Sequence, residues 1–278
     1  MNKTRLFLFS LLLPLRIFCQ SEDRAFNSIS LHYGLHILAR QEQLFSPMVY
    51  HAVTPVNFQL QYENENETRL HVATVIFNNY NARWHDEYTY LTGSDEVKEV
   101  ETSPTLITLV QARYGYLKKI KKEEKMTWLI GGISDNQINA VENVYGGFST
   151  FGYLGQFSIA PAAKAEFAIN EKNTVAVTAW IPLLSWVARS PYALNDDEYM
   201  KNNADHNGLK TFFRYVGDGN IQFINHFQKL NLDAEYRYRI SEHWLAGAGY
   251  QFEFLRNSEP KTLIAYQHYF NLNITYQF

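Results

Sequence analysis

Apolar and polar residues alternate along most of the chain with a period of two. In the carboxyl-terminal segment every second residue from Phe270 to Phe278 is apolar, and the residues between them are Asn, Asn, Thr and Gln. Successive side chains of a β-strand point to opposite faces, so this pattern predicts a strand with one apolar face and one polar face. Residues 230–240 and 244–254 repeat the pattern and are separated only by 241–243, which predicts a β-hairpin.

The alternation also predicts strands upstream, and the connections between strands differ in length. Further apolar rows occupy residues 29–37, 58–62, 70–76, 157–169 and 175–183. Short turns are predicted at 63–67, 118–125, 170–173 and 241–243. Longer connections are predicted at 39–52, 78–104, 134–151, 185–228 and 256–262. Short turns at one end and longer loops at the other are typical of membrane β-barrels.

We therefore predict an all-β fold, a closed antiparallel transmembrane barrel of about ten strands. Residues 185–228 leave the count open, because 209–216 and 221–227 form a further possible hairpin around 217–220. Twelve strands result if this hairpin belongs to the wall, and ten if it projects beyond the membrane. We favour ten, because the row from Lys229 to Ile240 alternates most clearly.

The composition agrees with a barrel better than with a helical membrane protein. Aromatic residues make up 15% of the 278 residues, yet the mean hydropathy is −0.30. Lipid-facing and interior residues alternate in a barrel, so they cancel in such an average. The only long apolar run, Leu6 to Leu15, is too short to cross a bilayer as a helix.

Residues 1–20 have the pattern of a cleaved export signal, which leaves 21–278 as the barrel. Lys3 and Arg5 precede the apolar run, and the short segment after that run ends near Cys19 and Gln20. Cys19 is the only cysteine and allows an alternative, a lipid anchor, although bulky residues precede it. If it leaves with the signal, the mature chain has no thiol for catalysis.

The net charge disfavours nucleic acid as a partner. Cleavage after residue 20 removes Lys3, Arg5 and Arg16, so that 25 basic residues become 22 against 28 acidic ones, a net charge of about −6. Binding to phosphate backbones requires a basic surface. No cofactor-binding motif and no metal-ligand spacing is present, and we predict neither a cofactor nor a metal.

The terminal strand resembles the carboxyl-terminal signal of bacterial outer-membrane proteins, which the barrel-assembly machinery recognises. The resemblance rests on the terminal Phe278, on the aromatic Tyr276 and on the alternation before them. The chain as a whole resembles the small outer-membrane barrels of Gram-negative envelopes and is similar in style to those of the Bacteroidota. The resemblance implies an outer-membrane location, contacts with membrane lipid and lipopolysaccharide, and both termini in the periplasm.

The predicted strand faces direct a set of charged side chains into the barrel. This lumen ion network comprises Arg69, His71, Arg113, Lys164, Glu166, Asp233, Glu235, Arg237 and Arg239. The interior of a small barrel is just wide enough for side chains to fill, so opposite charges should pair there and close the lumen. A charged constriction of a narrow pore is the first alternative, and a catalytic site is the second.

Aromatic residues in the predicted outer loops are candidates for contact with a partner. They include Trp84, Tyr88, Tyr90, Trp186 and Tyr192. Exposed aromatic side chains bind proteins and sugars well, so an envelope protein is a possible partner. The same residues could instead pack the loops together as a cap.

Three further features are candidates for catalysis, metal binding or lipid contact, and two of them could instead be ordinary solvated surface. The dipeptide Asp205 and His206, together with the run from Trp84 to Glu87, resembles the acidic residues and Asp–His pair of the ten-stranded outer-membrane proteases. His32 and His36 are about 13 Å apart on a strand, too far to share a metal. The basic run from Lys118 to Lys122 could contact anionic lipid or could be a solvated turn.

Three classes of function follow, in order of preference. The first is a barrel with a charge-plugged lumen that serves as a structural, accessory or docking protein through its outer loops. The second is a narrow channel for small polar solutes. The third is a membrane-embedded hydrolase, ranked last because no serine in the strands has a neighbouring histidine motif.

Overall fold

The computed structural model describes residues 26–92, 98–145, 148–194, 198–204 and 207–278. The predicted signal, residues 1–20 with Cys19, lies outside them. The strands are β1 (Phe26–Glu42), β2 (Val49–Thr54), β3 (Asn57–Glu65), β4 (Arg69–Ala82), β5 (Thr89–Thr92), β6 (Lys98–Glu101), β7 (Thr105–Lys122), β8 (Met126–Tyr145), β9 (Phe148–Ala168), β10 (Asn173–Trp180), β11 (Leu184–Arg189), β12 (Asn220–Phe223), β13 (Phe227–Arg239), β14 (Trp244–Asn257) and β15 (Leu263–Gln277). The helices are α1 (Glu198–Ala204) and α2 (Gly208–Gly217). Within the described ranges, neither is long and apolar enough to cross a bilayer.

The strands form a closed antiparallel barrel with ten wall positions, as predicted. The order around the wall is β1, β3, β4, β7, β8, β9, β10, β13, β14 and β15, and β15 pairs with β1. Three positions are interrupted strands, because β2 continues β3, β11 continues β10 and β12 precedes β13. Pro55 and Pro182 lie in two of these interruptions, where proline cannot donate a ladder hydrogen bond.

The two ends of the barrel differ in their connections. The short-turn end carries residues 66–68, 123–125, 169–172 and 240–243. The long-loop end carries residues 43–48, 83–104, 190–219 and 258–262. The start of β1 and the end of β15 meet at the short-turn end. There Asn27 N donates to Phe278 O at 3.1 Å, and Phe278 N donates to Asn27 O at 2.9 Å.

The wall has an apolar outer face and a largely polar interior. On β15, Phe270, Leu272 and Ile274 are exposed, whereas Asn271 and Asn273 between them are buried. A soluble monomer rarely exposes an apolar surface that continues around the molecule. The inward rows contain many Asn, Gln and charged residues, which shows that the interior is built to be polar.

Two segments differ from the sequence prediction. Residues 134–151 do not form a long loop, because β8 and β9 run through them in register up to the pair Tyr145 and Phe148. Both faces of this stretch are polar or mixed, so it lacks the alternation that reveals a strand. Residues 209–216 are not a strand but lie in α2, whose cap is the side chain of Asn207, accepting from Lys210 N at 2.9 Å.

A glycine at the barrel seam permits the close approach of β1 and β15. Gly34 pairs with Asn271, and a Cβ atom at Gly34 would lie 1.8 Å from the Phe270 carbonyl oxygen. At Gly249, by contrast, the nearest heavy atom to such a Cβ is 3.8 Å away. The seam therefore has no space for a side chain at Gly34.

We predict that Gly34→Ala lowers the free energy of unfolding by about 2 kcal/mol or more, because the strands that close the barrel must separate. Urea unfolding of the protein folded into lipid vesicles measures the change. Gly249→Ala is the matched control, with an expected effect within about 0.5 kcal/mol. Equal effects of the two substitutions would show that the seam is not tightly packed.

Candidate functional site

Four charged side chains from four strands meet in the interior and form the central ion cluster. They are Arg113 on β7, Asp135 on β8, Lys229 on β13 and Glu253 on β14. Lys229 Nζ lies 2.8 Å from Asp135 Oδ2 and 3.4 Å from Glu253 Oε2, while Arg113 bonds to Glu253 and has its Nε 3.7 Å from Asp135 Oδ1. Two cations and two anions balance, as burial away from water requires.

Neutral side chains add hydrogen bonds to the carboxylate of Asp135 in the central ion cluster. Gln111 Nε2 donates to Asp135 Oδ1 at 3.0 Å, and Trp180 Nε1 donates to Asp135 Oδ2 at 3.3 Å. The Arg113 guanidinium also lies over the Trp180 ring, 4.9 Å from its centroid. The carboxylate of Asp135 is thus held by partners on several strands of the wall.

A second group of charges, the turn-end cluster, lies closer to the short-turn end. Its members are Glu63, Lys164, Glu166, Glu235 and Arg237. Arg237 binds Glu63 through two parallel hydrogen bonds of 2.8 Å and approaches Glu235 Oε2 at 2.7 Å. Lys164 Nζ lies 2.7 Å from Glu166 Oε1. The two-bond arginine–carboxylate geometry is strong and directional, so it ties β13 to β3 across the interior.

A third group, the loop-end cluster, consists of Arg40, Glu42 and Arg189. Arg40 Nη2 lies 2.8 Å from Glu42 Oε2, and Arg189 bonds to the other oxygen of the same carboxylate. Arg189 Nη1 also donates to the carbonyl oxygens of Glu259 at 2.7 Å and Lys261 at 2.6 Å. These contacts fasten the loop 258–262 over the barrel mouth.

Apolar layers lie on either side of the central ion cluster. The layer towards the long-loop end includes the buried residues Leu38, Tyr80, Ile107, Leu154, Leu255 and Leu263. The layer towards the short-turn end comprises Leu70, Leu117, Leu129, Ile133, Ala160, Ala162 and Trp180. An interior cavity among the turn-end cluster has a volume of about 60 Å³, and another near Leu38 has about 10 Å³. Such volumes hold a few water molecules at most.

The structure brings together most of the charged residues predicted for the interior. Lys164, Glu166, Glu235 and Arg237 belong to the turn-end cluster, and Arg113 belongs to the central ion cluster. Asp233 lines the same cavity as the turn-end cluster and accepts from Gln251 Nε2 at 3.1 Å. Arg239 is exposed at the short-turn end, beyond both clusters.

The prediction for Arg69 and His71 was wrong, because both lie on the outer face. Leu70 and Val72 line the interior cavity, so their neighbours on β4 point outwards. His71 Nδ1 is 2.8 Å from the hydroxyl of Tyr114, which also lies on the outer face of β7. In this part of β4 the apolar residues point into an interior apolar layer and the polar residues point outwards, which is the reverse of what the alternation predicts for a membrane barrel.

Sequence reasoning missed Glu63, Asp135, Lys229 and Glu253. Glu63 was assigned to a turn and Asp135 to a loop, although both have an interior position in a strand. Lys229 and Glu253 lie in the alternating rows 229–240 and 244–254, so alternation alone predicts that both point into the interior. The pairing of Lys229 with Asp135 across 94 residues has no signal in the local sequence.

The loop aromatic residues lie on two different parts of the surface. In the excursion 83–102, Trp84, His85, Tyr88 and Tyr90 form a series of ring contacts with centroid separations of 3.9, 4.6 and 6.2 Å. Trp84 is 46% exposed and Tyr88 is 51% exposed. Trp186 is not a loop residue, because it lies in β11 and its Nε1 donates to Val216 O at 2.9 Å.

The helical excursion 190–219 packs on the outer wall near the long-loop end. Tyr153 of β9, which is on the outer face, contacts Tyr215 of α2 with ring centroids 4.6 Å apart. Its hydroxyl is 2.7 Å from that of Tyr199, which donates to Asp218 at 2.8 Å. Burial and the bond with Tyr153 raise the pKa of Tyr199, so that its hydroxyl stays protonated. Tyr192 lies beside Tyr199, 6.1 Å between centroids.

The described residues offer no assembled catalytic or metal site. Asp205 and His206 lie outside the described ranges, and no three metal-binding side chains converge within those ranges. At the long-loop end, His226 lies between Ser258 and Glu259. The same ring nitrogen, Nδ1, is 3.2 Å from Ser258 Oγ and 3.0 Å from Glu259 Oε1. A catalytic triad requires one ring nitrogen for the serine and the other for the acid.

Comparison with known proteins adds evidence on the fold. No family model and no curated protein matches the chain. Among solved structures, the outer membrane protease OmpT from Escherichia coli is similar with a TM-score of 0.54 and 7% identity, over 94% of this chain and 99% of that one. Neisserial surface protein A has a TM-score of 0.38 and 8% identity, over 91% and 99% of the two chains. Ail of Yersinia pestis has a TM-score of 0.30 and 11% identity, over the same shares.

The likeness to OmpT shows that this chain has the fold of an outer-membrane β-barrel. At 7% identity it says nothing about catalysis. The scores of the other two structures are too low to support an inference.

We predict that Lys229→Met lowers the free energy of unfolding by about 3 to 5 kcal/mol, because Asp135 and Glu253 then share one cation in a buried site. Urea unfolding in lipid vesicles measures the loss. Lys229→Met combined with Asp135→Asn restores the charge balance, and we expect it to cost less than the sum of the two single substitutions. The control Lys125→Met, at an exposed turn, should change little. A neutral effect of Lys229→Met would contradict this description of the cluster.

Proposed function

We propose that the protein is an integral outer-membrane barrel that is closed to solutes and binds another envelope protein through its long-loop end. The short-turn end and both termini face the periplasm, and the long loops face outwards, in a Gram-negative envelope of the Bacteroidota type. The terminal strand ending at Phe278 is the segment that the barrel-assembly machinery recognises. Lipid and lipopolysaccharide surround the apolar outer face.

The filled interior is the observation that carries this proposal. Three ion clusters and two apolar layers follow one another along the barrel, and the two cavities described above have volumes of about 60 and 10 Å³. A solute larger than water has no space to pass, which argues against a channel in this conformation. We therefore place the proposed binding activity on the outer surface.

The excursion 83–102 is the part of that surface best suited to a partner. Trp84 and Tyr88 are exposed at the long-loop end. Tyr88 directly precedes β5, which pairs with β6, and Thr102 N donates to Tyr88 O at 3.1 Å. Arg83 anchors the base, since its Nη1 donates to Thr102 O at 3.0 Å and its Nη2 lies 2.6 Å from Glu87. Aromatic side chains on a held scaffold lose little entropy on binding and often dominate binding energy.

The proposal predicts that a partner protein co-purifies with this barrel from native outer membranes in a fixed ratio. We expect Trp84→Ala combined with Tyr88→Ala to lower its recovery about ten-fold or more, because the aromatic contact area is lost. Quantitative mass spectrometry of the crosslinked, affinity-purified protein measures the recovery.

Phe26→Ala provides the matched control for this experiment. Phe26 is 68% exposed but lies at the short-turn end, so its loss should leave recovery unchanged. The docking function is wrong if no partner co-purifies, or if the loop variant and the control retain it equally.

A further inference from the structure

An interior cavity near the short-turn end is surrounded by an excess of negative charge. The turn-end cluster, which lies beside it, contains three carboxylates and two cations. Asp233 lines the same cavity and adds a fourth carboxylate. Four negative and two positive charges leave a net charge of −2, with His32 counted as neutral. Charges inside a protein need compensation, so this group requires a further cation.

Asp233 differs from the other carboxylates around the cavity in its partners. Its Oδ2 accepts a hydrogen bond from Gln251 Nε2 at 3.1 Å, but a neutral amide does not balance a charge. The cations of the turn-end cluster are paired with carboxylates of that cluster, and Arg113 is paired within the central ion cluster. Among the residues that the structure describes, Asp233 therefore has no ion pair.

Two buried glutamines that line the cavity have hydrogen-bonding atoms in excess. Gln59 of β3 is 1% exposed, and neither its Oε1 nor its Nε2 has a partner among the described residues. Gln251 of β14 is 4% exposed, and within the same ranges its Oε1 has no partner. Burial of a polar atom without a partner is unfavourable. The two amide oxygens therefore indicate an occupant of the cavity that accepts lone pairs, as a cation does.

The strand register brings oxygen atoms to one level of the barrel. Thr178 of β10, Asp233 of β13 and Gln251 of β14 are direct neighbours across adjacent strands. All three line the cavity, and Gln59 lines it from another part of the wall. Together they provide a carboxylate, two amide oxygens and a hydroxyl, which are ligands that hard cations prefer.

The type of ligand and the size of the cavity favour Ca²⁺. Ca²⁺ takes about six to eight oxygen ligands in a flexible geometry, water included, whereas Mg²⁺ requires a near-ideal octahedron. The cavity volume of about 60 Å³ holds one ion with one or two waters, since a water molecule occupies roughly 30 Å³ in the liquid. A divalent ion also matches the net charge of −2 that surrounds the cavity.

Water reaches the cavity from the short-turn end. The side chains of Glu166, Arg237 and Glu235, which lie towards that end, are 20%, 15% and 11% exposed. Deeper in the barrel, the side chains of Lys229 and Asp135 are 0% exposed. Solvent access therefore stops at the central ion cluster, and an ion can enter from the short-turn end without a path through the barrel.

We propose that Asp233, Gln59, Gln251 and Thr178 bind one Ca²⁺ ion in this cavity. The ion is bound by the carboxylate and the two amide oxygens, it balances the excess negative charge, and water completes its coordination. A single free carboxylate is a low ligand charge, so we expect a dissociation constant of about 10⁻⁴ to 10⁻³ M. This set differs from a group of three or more acidic, histidine or cysteine side chains, which the described residues lack. The site is independent of the docking surface at the other end of the barrel.

Thermal unfolding of the folded mature protein in detergent tests the proposal, with Ca²⁺ titrated after metal ions have been removed with EDTA. Ca²⁺ should raise the midpoint of unfolding, measured by tryptophan fluorescence, because the ion binds only the folded barrel. Asp233→Asn should weaken the apparent affinity for Ca²⁺ about ten-fold or more. Without Ca²⁺, this variant should be at least as stable as the wild type, because it removes excess negative charge. A purely structural role for Asp233 predicts the opposite order.

Luminescence of Tb³⁺, which replaces Ca²⁺ at oxygen sites, provides a second measurement. Trp180 lines the cavity, so it is close enough to transfer excitation energy to an ion bound there. Addition of Ca²⁺ should reduce this emission in the wild type, and Asp233→Asn should abolish it. If that variant does not fold, Gln59→Leu decides, because it keeps the charge and should weaken Ca²⁺ binding about three-fold.

Glu171→Gln is the matched control. It removes one carboxylate from an exposed turn at the same end of the barrel and should leave the affinity for Ca²⁺ unchanged. The proposal is overturned if Ca²⁺ does not stabilise the wild type, which is the result expected if a proton neutralises Asp233 instead. It is also overturned if Mg²⁺ at the same concentration stabilises the protein equally, or if the control weakens binding as much as Asp233→Asn.

Discussion

Every charged side chain inside a ten-stranded barrel needs a partner within the wall, because so narrow an interior leaves no room for bulk water. An unpaired buried charge costs several kcal/mol, and a pair repays this only with good geometry. The central ion cluster meets the requirement with two cations and two anions drawn from β7, β8, β13 and β14. The same pairing that makes the charges tolerable also closes the lumen.

If the interior is closed to solutes, as the proposed function holds, binding of a partner takes place on the outer surface. At the long-loop end, Arg189 and Glu42 fasten the loop 258–262. Arg83 anchors the base of the excursion 83–102 through Thr102 and Glu87. Under the proposed function, the barrel binds a protein through its long-loop end, and lipid surrounds its apolar outer face.

The fold could be predicted from the sequence wherever one strand face is apolar and the other polar. The terminal strand to Phe278 and the hairpin around 241–243 are such cases. The prediction failed where this contrast disappears. Residues 134–145 are polar or mixed on both faces, so this stretch was missed as a strand. At the start of β4 the inward residues are the apolar Leu70 and Val72 and the outward ones are Arg69 and His71, so the alternation predicted the wrong faces.

The candidate sites could be predicted only in part, because they depend on contacts between distant strands. The interior position of Arg237 follows from local alternation, but its partner Glu63 lies 174 residues away and was assigned to a turn. The helix α2 had a local signal in its cap, Asn207, which the apolar run from Leu209 obscured. Packing of that helix on Tyr153 has no counterpart in the local sequence.

Single-channel recording in planar lipid bilayers tests the central claim, the sealed interior, most directly. The purified, folded protein should insert without producing steady conductance steps, because side chains fill the path through the barrel. The account of a closed barrel would be wrong if the wild-type protein produced steady conductance steps that became larger in Lys229→Ala. That result would show that the clusters line an open pore.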